Sequence, residues 1–147
     1  MNKDDLDDTI KKGIAAAEKG DIHSALMLFN EAVEKRNTPE VHSYHAYCLA
    51  QSEGRFSAAA KRCRESIKRE PGNSLHYLLL GRILLLAGEK RIAVKTFRQG
   101  LKASPNPKII VELKKLGLRK DPPFKNLGRS HLLNRTFGKL LSSIGIR

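Results

Sequence analysis

The sequence predicts an all-α protein assembled from repeated helix pairs. Three observations predict it. Gly20, Gly54 and Gly88 recur at intervals of 34 residues, and so do Ala25, Ala59 and Ala93. Phe29, Cys63 and Phe97, and then Ala32, Ser66 and Gly100, keep the same interval. Asn37, Pro71 and Pro105 close each unit, while Gly13, Tyr47 and Gly81 precede its central glycine. A fixed period in the range of 20–50 residues is the signature of a repeat architecture, in which each supersecondary unit buries its apolar face against the next. The copies fall near residues 6–39, 40–73 and 74–107.

Each copy reads as two helices. Glycine at the centre can take φ > 0 and end the first helix, so first helices are expected over 6–19, 40–53 and 74–87. Second helices are expected over 22–36, 56–69 and 90–103. The small Ala25, Ala59 and Ala93 lie one turn into the second helix, where two helices can approach closely. Phe29 and Phe97 follow four residues later on the same face and fill the space between helices. Pro71 and Pro105 help to stop the second helix. In the first turn, Asp4, Asp5, Asp7 and Asp8 suit the positive end of the helix dipole. After the third copy, "NPKIIVELKKLGL" predicts one more helix over 107–117, with Asn106 as N-cap and Pro107 at its first position. This helix caps the apolar end of the array.

At these positions the chain resembles the tetratricopeptide repeat family. The resemblance covers residues 6–105 as three repeats and is weakest in the second, where Tyr47 stands in place of a small residue and Cys63 in place of an aromatic. It implies a right-handed superhelical solenoid of antiparallel helix pairs, with first helices lining a concave groove and second helices on the convex side. With the capping helix it implies a tetratricopeptide domain over residues 1–118, and composition and periodicity beyond it predict a basic linker and amphipathic tail over 119–147. Transferred by offset, the groove positions are Ile10, Ile14 and Ala17 in the first repeat. They are Val41, Tyr44, Cys48 and Gln51 in the second, and Leu75, Leu78, Arg82, Leu85 and Leu86 in the third. One subgroup of the family grips a peptide carboxylate with Lys, Asn and Arg. The corresponding residues here are Ile10, Ile14, His45, Leu75 and Leu79, so that clamp is absent.

The stretch "YLLLGRILLLAGEK", residues 77–90, carries more leucine than one buried stripe needs. At about ten apolar residues it is too short to cross a bilayer, which takes roughly 20. Tyr77, Leu80, Gly81 and Leu84 take the family's packing positions, and the remaining leucines predict an apolar groove. Contiguous apolar patches usually mark interaction sites. Three occupants remain open: another protein or peptide, this chain's own tail or a second copy of it, and plain helix packing. Arg82 is the one cation in the groove, either solvated, paired within the chain or available to an acidic group.

The formal net charge of +13 is carried almost wholly by the C-terminal part, where residues 89–147 hold 15 basic against three acidic residues. Lys61, Arg64 and Lys68 recur one period later as Lys95, Arg98 and Lys102, each trio on one helical face. The rows are either a solvated surface or a docking face for an anionic partner. Nucleic acid fits poorly, because aromatic residues for base stacking are few and fall at core positions. The segment "SHLLNRTFGKLLSSIGIR" gathers Leu132, Leu133, Phe137, Leu140, Leu141 and Ile144 on one helix face. It is expected to pack on protein, in cis or across a homodimer, in preference to a membrane. Pro122 and Pro123 make the segment before it a turn-rich linker.

No phosphate-binding glycine loop, dinucleotide fingerprint or zinc-protease motif is present. His42 and His45 share a helix face, but no third ligand completes a metal site. Cys48 and Cys63 read as two reduced, buried thiols rather than a disulfide framework. The acidic start "MNKDDLDD" is unlike a secretory leader. The sequence therefore predicts a cytoplasmic, non-enzymatic scaffold or adaptor without cofactors, which binds a peptide or helix in the groove. An anionic-surface binder, for membrane or nucleic acid, is the alternative.

Overall fold

The computed structural model describes residues 2–117. They form seven helices and no strand: α1 (Lys3–Lys19), α2 (Ile22–Lys35), α3 (Pro39–Glu53), α4 (Phe56–Arg69), α5 (Ser74–Leu86), α6 (Lys90–Ala103) and α7 (Pro107–Lys115). All seven expected helices are present, with ends displaced by at most three residues. The largest displacement is at the start of α1, which begins at Lys3 because Asn2 and Asp5 form a reciprocal capping box. The expected linker and tail, including the apolar stripe from Leu132 to Ile144, lie outside the described residues.

Local chemistry sets the breaks. Gly20, Gly54 and Gly88 have φ of 84°, 68° and 81°, the left-handed conformation that closes a first helix and turns the chain into the second. Asp21, Thr38, Asn73 and Asn106 cap helix starts through their side chains. Pro71 and Pro105 each lie two residues beyond the ends of α4 and α6. These signals are all within a few residues of the ends they fix.

Each helix packs mainly against its neighbours in the chain, and α3 also packs against α5. This succession of helix pairs is a helical-repeat arrangement with one continuous core. Ala25, Ala59 and Ala93 are buried where the paired helices meet, as are Phe29, Cys63 and Phe97. At Gly81 the approach is closest: a Cβ would lie 2.2 Å from Cε1 of Phe97, so only glycine admits that ring. The corresponding contact at Gly13 is looser, with Phe29 at 3.1 Å from such a Cβ. Ile109, Ile110 and Leu113 of α7 close the apolar end of α6.

Candidate functional site

The first helices α1, α3 and α5 hold all twelve expected groove positions, but not as an open apolar trough. Ile10, Val41, Tyr44, Cys48 and Leu78 are buried, Leu78 to 1% exposure. Ile14, Leu75, Arg82 and Leu85 are half-buried, and only Leu86 of the adjoining leucines is exposed. For most of these apolar positions the arrangement is thus the helix packing that the sequence left open as one alternative. Part of the reason is that α3 and α5 pack directly on each other. Another part is that the Tyr44 ring stacks on Phe29, with centroids 5.5 Å apart and planes 1° from parallel. Burying these side chains keeps roughly 1.5–3 kcal/mol each that exposure would forfeit.

What remains open is a cleft of about 370 Å³ at the C-terminal ends of α1, α3 and α5, bordered by α7. Leu85, Leu86 and Ala17 give it an apolar wall, and Tyr47 and Gln51 a polar one. Arg82 crosses it. Its Nη1 donates to Glu18 Oε1 at 3.1 Å and its Nε to Glu112 Oε1 at 3.0 Å. Lys108 Nζ lies 3.4 Å from the same Glu18 oxygen. The Arg82 guanidinium stands 5.9 Å from the centre of the Tyr47 ring, and the Tyr47 hydroxyl accepts from Gln51 Nε2 at 2.9 Å. The network ties α1, α5 and α7 together across the cleft.

Its electrostatics follow from that pairing. Burial works to raise the Glu18 carboxyl, but the hydrogen bond from Arg82 and the charges of Arg82 and Lys108 prevail and hold it below the ordinary carboxylate range. Burial alone would lower the Arg82 guanidinium, and its two carboxylates reverse that. Burial, then the nearby Glu18 charge, raises the Tyr44 phenol. Two carboxylates thus meet two cations within the network, while Lys19 and Lys115, also in the lining, leave the cleft as a whole positive. Arg82 is paired within the chain rather than left for an acidic ligand.

The basic rows lie on the second helices. Lys61, Arg64, Lys68, Lys95 and Lys102 are exposed and Arg98 is half-buried. Helices α4 and α6 are not among the closely packed pairs, so the two trios are carried on separate ridges. Cys48 and Cys63 are free thiols, and burial pushes both up to about 12, away from the thiolate that reactive cysteines need.

Two polar clusters were not legible in the sequence. The first is a chain in which Ser43 Oγ contacts His76 Nδ1 at 2.8 Å and His76 Nε2 contacts Glu70 Oε2 at 2.8 Å. Its order suggests a serine nucleophile with a histidine base, but Ser43 and His76 are both at 0% exposure and out of reach of substrate. It joins α3 and α5 to the turn between α4 and α5. The second cluster surrounds His42 and His45. His45 Nδ1 accepts from Arg62 Nη1 at 3.1 Å, so its Nε2 donates to Asn30 Oδ1 at 2.8 Å. His42 Nε2 lies 2.8 Å from Asn37 Oδ1. The only advance signal was the spacing of the two histidines, which set them on one helix face. Among the described residues no group of three or more His, Cys, Asp or Glu side chains is placed to hold a metal ion.

Among the described residues no helix is long and apolar enough to cross a membrane. Comparison with known protein families and with curated proteins returns no match.

Proposed function

We propose that the chain is a three-repeat tetratricopeptide-type solenoid with a capping helix, and that it acts as a cytoplasmic scaffold or adaptor. Its ligand is a peptide or helix of a partner protein, received at the cleft bordered by Leu85, Leu86, Tyr47 and Gln51. The observation that carries this reading is the pairing of Arg82 with Glu18 and Glu112 beside half-open leucines. With Arg82 already engaged by two carboxylates, the half-open leucines beside it favour an apolar side chain with a few hydrogen bonds. No residue is assigned a catalytic role.

The test is selection of binders from a random peptide library on the intact chain. Selected peptides should carry apolar anchors and lose binding to Leu86→Glu, while Lys95→Glu binds them unchanged. Peptides rich in acidic residues, lost in Lys95→Glu and retained in Leu86→Glu, would replace this reading with the second one. That second reading is docking of an anionic surface to the exposed rows Lys61, Arg64, Lys68, Lys95 and Lys102. Their exposure together with the +13 formal charge supports it.

A further inference from the structure

A second cleft, of about 360 Å³, opens between α2, α3 and α4, away from the leucines of the inner face. His42 and His45 line it from α3, and Arg62, Glu65, Ser66 and Arg69 line it from α4. Arg62 and Arg69 are seven residues apart, two helical turns, and so project from one face of α4. That face is distinct from the one bearing Lys61, Arg64 and Lys68.

The two guanidiniums are fixed, but not by carboxylates. Arg62 Nη1 donates to the neutral nitrogen of His45. Arg69 Nη1 donates to Asn37 Oδ1 at 3.1 Å, and its Nη2 to the Asn37 carbonyl at 3.0 Å. Glu65 is three residues from Arg62 and four from Arg69, spacings at which helical ion pairs form. Among the described residues no ion pair joins it to either guanidinium, and it is the one acidic side chain in the lining. Each arginine has five N–H donors and uses one or two of them here, so several donors remain for a ligand. Their positive field is felt by the histidines. Burial first, then the Arg62 charge, lowers both His42 and His45, and Arg69 adds to the effect at His42 against a smaller opposing one from Glu65.

We propose that this cleft binds a phosphate monoester. Guanidinium pairs are the favoured partners of phosphoryl oxygens, and donors already held in place lose little freedom on binding. A dianion supplies enough acceptors for both arginines and matches their two positive charges, with Glu65 the one opposing charge in the lining. The cavity far exceeds the ~30 Å³ that one water occupies in the liquid. It therefore has room for an organic group beside the phosphoryl head, against Val33. The site is independent of the inner-face cleft and of the peptide-binding reading.

The experiment titrates the full chain with phenyl phosphate at constant ionic strength, following the His42 and His45 ring protons by nuclear magnetic resonance. Inorganic phosphate and benzoate form the parallel arms. Saturable binding that shifts both histidines is expected, with phenyl phosphate binding more tightly than either control. Arg62→Gln/Arg69→Gln should weaken it at least tenfold with helicity retained, and Lys61→Gln, on the other face, should leave it unchanged. Glu65→Gln, which removes the opposing charge and no observed contact, should tighten it severalfold. Benzoate binding as tightly as phenyl phosphate overturns the proposal. So does equal affinity in Glu65→Gln, or a titration that leaves the two histidines unmoved.

Discussion

The first and third repeats join their helices in one way and the second repeat in another. In the outer two, a glycine on the first helix receives a phenylalanine from the second: Gly13 with Phe29, and Gly81 with Phe97. In the middle repeat the large residue, Tyr47, is on the first helix and the small one, Cys63, is on the second. Cys63 is fully buried, with its thiol directed at the Ser43 carbonyl 3.9 Å away. Tyr47 instead borders the inner cleft, under Arg82 and bonded to Gln51. One period therefore supports two packing solutions. The outer repeats place their ring in the core, whereas the middle repeat places its ring at the candidate site. The departure at Tyr47, which weakens the family resemblance, coincides with the cleft, whereas Cys63 is buried and takes no part in its lining.

The largest effects should separate the rings from the thiol. Phe97→Ala and Phe29→Ala each remove a fully buried ring and should cost about 3–5 kcal/mol, whereas Cys63→Ala should cost no more than about 1.5 kcal/mol. Chemical-denaturation midpoints measure both. Equal losses at all three positions would erase the distinction between outer and middle repeats.

The glycines sharpen it further. At Gly81 an added methyl runs into Phe97, so Gly81→Ala should destabilise by about 1–3 kcal/mol. At Gly13 the crowding is mild and the gain in helix propensity, up to about 1 kcal/mol, offsets it. Gly13→Ala should therefore fall within about 1 kcal/mol of the parent. A Gly81→Ala protein as stable as Gly13→Ala would show that Phe97 has another place to go.

Next comes the ion-pair network that Tyr47 borders. Glu18 is held below its ordinary value of 4.5 in the folded chain. Its contribution is therefore present above that unfolded value and is lost as pH falls through the lower, folded one. Glu18→Gln should cost about 1–2 kcal/mol at pH 7, since the pair is only partly screened by solvent. It should also flatten the decline in stability below pH 4.5. Parallel acid titrations of variant and parent, with the same slope, would remove Glu18 from the account.

The smallest effect is expected on the outer face. Lys95→Ala touches no core contact and should change stability by no more than about 0.5 kcal/mol, while Ala93→Leu, two residues away but fully buried, should cost about 1–3 kcal/mol. Equal denaturation midpoints for the two would mean that α6 is rotated from its described register.

Legibility followed range in the chain. Gly20, Gly54 and Gly88 announced the ends of α1, α3 and α5, and Asn106 with Pro107 announced α7. In each case the bonds that fix the end join residues a few positions apart. Leu78 was harder. Its offset correctly set it among the first-helix residues, but its exposure depended on how closely α3 and α5 pack, which no pattern within α5 encodes. His45 showed the same limit. The spacing from His42 put two imidazoles on one face, and only the folded chain supplied Arg62 and Asn30 as their surroundings.

By itself, then, the sequence determined the all-helical class, the 34-residue succession of helix pairs and the residues that pack between them. Helix caps, glycine turns and apolar periodicity act over one or two turns, so they are written in consecutive residues. The tertiary structure alone decided that Arg82 pairs with Glu18, 64 residues earlier in the chain, and with Glu112, 30 residues later. It alone decided that the expected groove narrows to a cleft, and that Arg62 and Arg69 face another with neutral partners. Such pairings depend on where separate helices come to rest, and side-chain charges a few ångströms apart in space carry no signature in their spacing along the chain.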